Sequence, residues 1–246
     1  MMHSQQKDAR LFNFSWMALV FGLSVMVGCA GKPVDPNDPA SLMEEVEATI
    51  KSDHFQLAID KLRAIKNRFP YSKQAAEAQL RIGDVYFMQE SFAEAAVSYE
   101  TFRDLHPKHE KAGYALYRTS LSYFSDLPTT VARDFSLAEK VVAASEEYLT
   151  IFPQGEFLTE VTQLRTDTLN KLAAKEFYIA EFYEKRGYLD SATRRLKKLI
   201  SSYPNTPAAT DAKNRLASFS NRTSKNQNFI PLDEASTQTD VPSGSK

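Results

Sequence analysis

The chain has 246 residues, of which 43% are hydrophobic and 25% are charged, and its formal net charge is −1. This composition is typical of a globular or repeat protein with enough apolar material for a core. The near-neutral charge excludes the basic field that a nucleic-acid partner requires. The single cysteine excludes a disulfide within the chain.

The first predicted element is an export signal. A polar, basic start precedes an apolar run from Met17 to Val27, which is too short to span a bilayer as a helix. Gly28 and Cys29 follow, and the stretch MVGC resembles the lipobox of bacterial lipoproteins. The resemblance implies cleavage after Gly28 and a palmitate-bearing Cys29. We therefore expect residues 1–28 to be a lipoprotein signal peptide; the alternative is a small buried cysteine in a first helix.

Two further segments flank the predicted domain. Residues 29–40 contain three prolines and several Asp and Asn residues, so we expect a flexible tether that holds the domain away from a membrane. Residues 220–246 are rich in Ser, Thr, Asn and Gln and have few apolar residues. We expect this tail to be disordered. The domain itself is therefore assigned to residues 41–219.

The domain is predicted to be helical throughout. Strong helix formers fill long stretches, only 8 glycines occur in the whole chain, and no segment shows sustained two-residue alternation. Residues 156–186 contain neither Gly nor Pro, so they are predicted to form one continuous helix. Amphipathic stretches predict helices at 42–52, 55–68, 73–89, 92–105, 110–124, 137–151, 156–186, 189–202 and 207–219.

Four prolines give these helices a repeating pattern. Pro70, Pro107, Pro153 and Pro204 each follow an aromatic residue or histidine at the end of an amphipathic stretch. Proline ends a helix because it lacks an N–H and clashes with the preceding turn. Their spacing of roughly 37 to 51 residues suits helical hairpins with insertions, since a tetratricopeptide unit has about 34 residues.

One unit can be aligned position by position with the tetratricopeptide pattern. Its small residues let two helices approach closely, and its aromatic residues fill the gap to the next hairpin. We therefore predict an all-α, tetratricopeptide-like helical-hairpin solenoid of about five repeats. The matching positions are Ile82, Gly83, Tyr86, Ala95, Tyr99 and Pro107.

No catalytic constellation is found in the sequence. With Cys29 assigned to the anchor, nucleophilic chemistry needs Ser or Thr beside a histidine, and only His54, His106 and His109 remain after the signal peptide. His106 and His109 flank a proline, but a pair of imidazoles without a third ligand does not make a metal site. We therefore predict no enzymatic activity, no cofactor and no metal.

The basic run RRLKK has two interpretations. Arg194, Arg195 and Lys198 are predicted to surround a helix whose Leu196 and Leu199 point inward. Such a run is either a solvated helix face or a docking patch for an acidic partner.

Longer motifs resemble one family along nearly the whole predicted domain. NRFPYS, HPKHEKAGYALYRTSL, FPQGEF, LAAKEFYIAEFYEKRGY and SSYPNT follow one another in the order seen in the BamD family of outer-membrane assembly lipoproteins. The lipobox and the short proline-rich tether fit the same family. The chain departs from the family pattern at Phe135, where proline is usual.

The resemblance implies a non-catalytic, lipid-anchored subunit on the periplasmic face of the outer membrane. In this family the C-terminal repeats dock on the POTRA domain of the barrel subunit, beside other assembly lipoproteins, and the arginine matching Arg195 lies at that contact. The resemblance therefore favours docking for Arg194, Arg195 and Lys198.

The resemblance also implies that the N-terminal repeats hold unfolded outer-membrane proteins. Phe69 and Tyr71 are expected near the mouth of a concave groove and Tyr86 inside it, although Tyr86 also occupies a packing position of the repeat. The alternative functions are a pilotin for a secretin and a cell-wall coordination factor, whose repeats are usually more regular. A lipid-anchored enzyme is a third alternative.

Overall fold

The computed structural model describes residues 34–227, with side chains up to Asn221. The predicted signal peptide, Cys29 and residues 228–246 lie outside this range. Within it the chain forms nine α-helices and no strand, which confirms the all-α prediction. The helices are α1 (Pro39–Lys51), α2 (Phe55–Arg68), α3 (Lys73–Met88), α4 (Phe92–Leu105), α5 (Ala112–Ser125), α6 (Ser136–Ile151), α7 (Leu158–Lys185), α8 (Leu189–Ser202) and α9 (Pro207–Gln227).

The helices form a solenoid of hairpins. The pairs α1–α2, α3–α4, α5–α6 and α7–α8 are hairpins, each packs against the next, and α9 closes the array against α7 and α8. First helices of different hairpins also touch, since α1 contacts α3 and α5 contacts α7. Because the first helices of neighbouring hairpins lie close together, they form the inner, concave side of the solenoid, and the second helices form the outer side. The tetratricopeptide-like prediction is therefore confirmed.

The four prolines lie where the sequence predicts, two residues beyond the last residue of each second helix. The residue before each proline caps the helix by donating its N–H to the carbonyl four residues earlier, so each hairpin ends in the same way. These capping residues are Phe69, His106, Phe152 and Tyr203.

The turn inside a hairpin also repeats, with one exception. A residue with a positive φ angle lies two positions before the start of the second helix in the other three hairpins. These residues are Asp53, Glu90 and Gly187, with φ angles of 58°, 59° and 82°. The third hairpin instead has a longer connection, which ends at the buried Phe135. The Lys175 ammonium of α7 donates to a backbone carbonyl in this connection at 2.8 Å, so the inserted segment is tied to the next repeat.

Both ends of the domain extend beyond the predicted boundaries. Helix α1 begins at Pro39 because the Asp38 carboxylate accepts from the N–H groups of Ala40 and Ser41, and proline is well suited to the first helical position. Helix α9 continues to Gln227, beyond the predicted end of the last helix at residue 219. No Gly or Pro follows Pro207 within this helix, and nothing in the sequence stops it earlier.

Helix packing depends on one very close approach. A Cβ added at Gly83 on α3 would lie 2.8 Å from Cε1 of Tyr99 on α4. Tyr99 is fully buried, and its hydroxyl donates to the Asp84 carboxylate at 2.7 Å, so the ring has no room to retreat. Gly83 is therefore required by packing, as the repeat pattern predicts.

We expect Gly83→Ala to lower the free energy of unfolding by about 1–3 kcal/mol, because overpacking outweighs alanine's better helix propensity. Urea denaturation followed by helical circular dichroism measures this change. Gly113→Ala is the matched control, since a Cβ at this helical glycine would meet Phe152 at an ordinary 3.7 Å. Equal effects of the two substitutions would contradict the packing role of Gly83.

Candidate interaction surfaces

The basic run on α8 is held by one carboxylate of α7. Arg195 Nη1 and Lys198 Nζ each lie 3.0 Å from an oxygen of Glu176, whose side chain is only 13% exposed. Leu196 and Leu199 are buried in the C-terminal core, as predicted. Glu176 therefore fixes both cations on a rigid helix and neutralises one of their two charges.

After pairing with Glu176, the surface formed by Arg194, Arg195 and Lys198 keeps a net positive charge. The side chains of Arg195 and Lys198 stay 38% and 58% exposed. Arg194 is also exposed, and its guanidinium donates to the Ser191 hydroxyl at 3.0 Å. The three predicted residues thus lie together on α8. The sequence contained no signal for Glu176, because this residue is distant along the chain.

The three predicted aromatic residues differ in how exposed they are. Phe69 is partly buried and packs against the core between the first two hairpins, whereas Tyr71 is fully exposed to solvent. Tyr86 lines a cleft of about 480 Å³ between α2 and α4, and its hydroxyl accepts from Arg63 at 2.8 Å. The walls of this cleft come from the second helices α2 and α4 and from α3, and substrate binding at Tyr86 stays a prediction. Tyr86 lies on the side of α3 that packs against the second helices.

A polar cluster connects three hairpins. Asp84 Oδ1 on α3 accepts from the hydroxyls of Tyr99 and Tyr114 at 2.7 and 2.8 Å. Its other oxygen lies 3.3 Å from Arg81, which also makes a bidentate pair with Glu47 of α1 at 2.7 Å. Side chains from α1, α3, α4 and α5 are thereby connected through one carboxylate.

The two tyrosines of this cluster remain hydrogen-bond donors. Burial is the largest cause that raises the pKa of Tyr99 and of Tyr114, and the negative charge of Asp84 raises both pKa values further. Both phenols therefore keep their protons at pH values at which a free tyrosine has already ionised.

A cavity of about 580 Å³ opens beside this cluster. Leu80 and Asp84 of α3, Tyr114 of α5 and the turn between α6 and α7 contribute to its walls. Two aromatic residues of that turn, Phe152 and Phe157, face it. Sequence analysis missed this cavity, although the FPQGEF motif, which was interpreted as a helix end and as part of the family resemblance, contributes to its wall.

Exposed aromatic side chains form a second surface that sequence analysis missed. Tyr178 and Phe182 on α7 and Tyr188 in the following turn are all exposed, and the Arg186 guanidinium lies 3.8 Å from the Phe182 ring centroid. Tyr178 and Phe182 are rotated about 200° and 240° around the helix from Glu176. They therefore face away from the basic run of α8.

The described range contains no converging set of three or more His, Cys, Asp or Glu side chains that could hold a metal. The rings of His106 and His109 lie 6.4 Å apart, and both pack against Phe102. No helix between residues 34 and 227 has the length and apolar character needed to cross a bilayer.

Comparison with known proteins identifies the family. A model of the YfiO family, described as outer membrane lipoprotein, matches residues 35–229. The chain belongs to the YfiO family. The resemblance inferred from the sequence motifs is thus confirmed, and membership in this family associates the chain with the outer membrane.

Curated relatives agree with this assignment to the YfiO family. The outer membrane protein assembly factor BamD of Neisseria gonorrhoeae is 29% identical over 174 residues, which cover 67% of this chain and 65% of that protein. BamD of Caulobacter vibrioides is 29% identical over 207 residues, which cover 81% of this chain and 67% of that protein. The chain therefore spans about two thirds of the length of these relatives.

Among solved structures, a tetratricopeptide repeat protein from Parabacteroides merdae is 16% identical to this chain and has a TM-score of 0.39. The match covers 68% of this chain and 67% of that protein.

Proposed function

We propose that this chain is a non-catalytic lipoprotein subunit of the machinery that assembles β-barrel proteins in the outer membrane. The observation that carries the proposal is the family match over residues 35–229, together with relatives named outer membrane protein assembly factor BamD. A solenoid of hairpins suits this role because it offers extended faces for binding. In this proposal Cys29 carries the lipid anchor at the periplasmic face.

The C-terminal hairpin docks on the POTRA-containing barrel subunit through Arg194, Arg195 and Lys198. The three basic side chains lie on one helix, and the buried leucines of that helix fix it against the core. The cations therefore stay close together, which supports this part of the proposal. Glu176 orients two of them and leaves a net positive patch. Such a patch speeds encounter with an acidic surface and selects its orientation.

The N-terminal hairpins hold unfolded outer-membrane proteins. Tyr71 is the available contact of the three predicted aromatic residues because it is fully exposed. Phe69 and Tyr86 offer only their exposed edges, since both also pack against the core. Burying one aromatic side chain contributes about 1.5–3 kcal/mol. A few such contacts give weak, reversible binding, which suits a carrier of unfolded chains.

A charge swap tests the docking patch. We expect Arg195→Glu to lower co-purification of the POTRA-containing barrel subunit from detergent-solubilised envelopes about tenfold, because the reversed charge meets the acidic surface unfavourably and about 1.4 kcal/mol corresponds to a tenfold change in affinity. The double variant Glu176→Arg with Arg195→Glu restores the pair between α7 and α8 in reverse. We expect it to fold normally and still fail to recover the barrel subunit.

Controls separate docking from folding in this experiment. Lys213→Glu changes an exposed residue of α9 by the same charge and should leave recovery unchanged. Restored recovery in the charge-swapped variant would mean that Arg195 acts only inside the solenoid. Mass spectrometry that finds a secretin or a cell-wall synthase instead of the barrel subunit would replace the proposed function with a pilotin or coordination factor.

A further inference from the structure

The cavity beside the Asp84 cluster has an aromatic wall, to which Tyr114 and Phe157 contribute. The Tyr117 ring stacks on Phe157 with centroids 4.6 Å apart and planes 6° from parallel, and Tyr114 meets the same ring edge-on at 5.8 Å. The N–H of Phe157 donates to the Tyr148 hydroxyl at 2.9 Å, which fixes the turn that carries the ring. These rings are therefore held in place before any ligand arrives.

The cavity lining is acidic as well as aromatic. Asp84, Glu110 and Glu156 line it, and Lys111 is the one basic residue among the lining side chains. Glu110 and Glu156 are exposed, and no ion pair is found for either within the described part of the chain. Their carboxylates are thus available to a ligand.

The neighbouring cations do not neutralise this lining. Arg81 contacts Asp84 but is already bound in bidentate fashion by Glu47, so this triad keeps a net charge of −1. Arg118 lies 5.6 Å from the Tyr114 ring centroid but does not line the cavity. The potential inside the cavity therefore favours a positive ligand.

We propose that this cavity binds a basic side chain, lysine or arginine, carried by an extended and otherwise apolar segment of an unfolded outer-membrane protein. The inference rests on the proposed function and assigns the place and chemistry of substrate recognition. A cation over an aromatic face is attracted to the ring, and the attraction grows when water is excluded. Carboxylates at the rim bind the charged end while the aromatic wall covers the apolar stem.

The size and charge of the cavity favour this occupant over others. A volume of about 580 Å³ admits one long side chain together with the flanking backbone. An acidic side chain would meet three carboxylates and one ammonium. A purely apolar side chain would cover Glu110 and Glu156 and leave them without partners, which disfavours it.

A set of three peptides tests the proposal. Each is a fluorescein-labelled ten-residue peptide of alternating phenylalanine and serine, with lysine, norleucine or glutamate at one central position. Fluorescence anisotropy at low salt measures binding to the full chain in detergent micelles. We expect the lysine peptide to bind about tenfold more tightly than the norleucine peptide, and the glutamate peptide to bind most weakly.

The double variant Glu110→Gln with Glu156→Gln identifies the cavity as the cause. We expect it to lose the preference for lysine while its affinity for the norleucine peptide stays the same. The double variant Glu139→Gln with Glu160→Gln removes two exposed carboxylates outside the cavity lining and should keep the preference. Equal affinity for lysine and norleucine, or a preference that persists in the first variant, would overturn the proposal.

The outcome is separable from that of the proposed function. A chain that still recovers the barrel subunit but binds all three peptides equally disproves the cation site and leaves the assembly role intact. A chain that prefers lysine but recovers no barrel subunit disproves the assembly role and supports the cavity chemistry.

Discussion

Replacing Tyr99 by alanine is expected to lower the free energy of unfolding by about 3–5 kcal/mol. The ring is fully buried between α3 and α5, fills the space above Gly83 and meets Tyr114 edge-on at 6.3 Å. Its loss leaves a cavity at the junction of the second and third hairpins and removes one donor from Asp84. Because each repeat of a solenoid is stabilised by its neighbours, both hairpins should be affected.

Urea denaturation monitored by circular dichroism measures this loss. Tyr99→Phe keeps the packing and removes only the hydroxyl, so we expect a smaller loss of about 1.5–3 kcal/mol for a hydrogen bond to a charged group. Tyr71→Ala is the exposed control and should be within about 0.5 kcal/mol of the parent chain. The packing role of Tyr99 is refuted if Tyr99→Ala unfolds at the same urea concentration as Tyr71→Ala.

Alkaline pH is expected to destabilise the domain through Tyr99 and Tyr114. Both have a raised pKa in the folded chain, because burial and the Asp84 charge disfavour the phenolate. An unfolded tyrosine loses its proton near about pH 10, so above this pH the unfolded state binds fewer protons than the folded state. The stabilisation is therefore complete below about pH 10 and is lost progressively as the pH rises toward the folded-state values.

The expected loss is large for a single cluster. Tyr99 alone should reduce the free energy of unfolding by at most about 1.4 kcal/mol per pH unit, or about 2 kcal/mol between pH 10 and pH 12, because an unfolded tyrosine is only half ionised at about pH 10. Tyr114 lines the cavity beside Asp84 and is partly exposed, so solvent screening makes its contribution smaller.

Comparing variants isolates these tyrosines from the lysines that titrate in the same range. In the double variant Tyr99→Phe with Tyr114→Phe, the urea midpoint should fall less steeply between about pH 9 and pH 12. The reason is that the unfolded chain then lacks two phenols that would ionise in this range. Tyr71→Phe removes the hydroxyl of a fully exposed residue outside the Asp84 cluster and serves as the control that should follow the parent chain. Parallel curves for all three chains would rule out the Asp84 cluster as the source of the alkaline loss.

The sequence predicted most of the helical order because that order depends on neighbouring residues. Helix-ending prolines and the Gly-free and Pro-free stretch 156–186 correspond to the ends of second helices and to the single helix α7. Where the prediction failed, a local signal was overlooked: Asp38 and Pro39 start α1 earlier, and nothing stops α9 before Gln227.

The candidate surfaces were predicted only in part. Arg194, Arg195 and Lys198 are close along one helix, so helical periodicity alone places them together on α8. Their partner Glu176 belongs to the preceding helix, and no pattern in the sequence connects it to them. Tyr86 also lines a cleft between α2 and α4, and its repeat position alone does not say which neighbouring helices will cover it.

The sequence by itself determined the fold class, the positions of the helices and the family, since helix propensity, capping and proline sterics act over a few residues. Only the tertiary structure decided which charges remain available and where a ligand fits. Asp84, Tyr114 and Phe157 come from three different hairpins, and they meet only after the hairpins have stacked. Their proximity depends on how neighbouring hairpins stack, and the close packing of Gly83 against Tyr99 holds the two helices of the second hairpin together for that stacking.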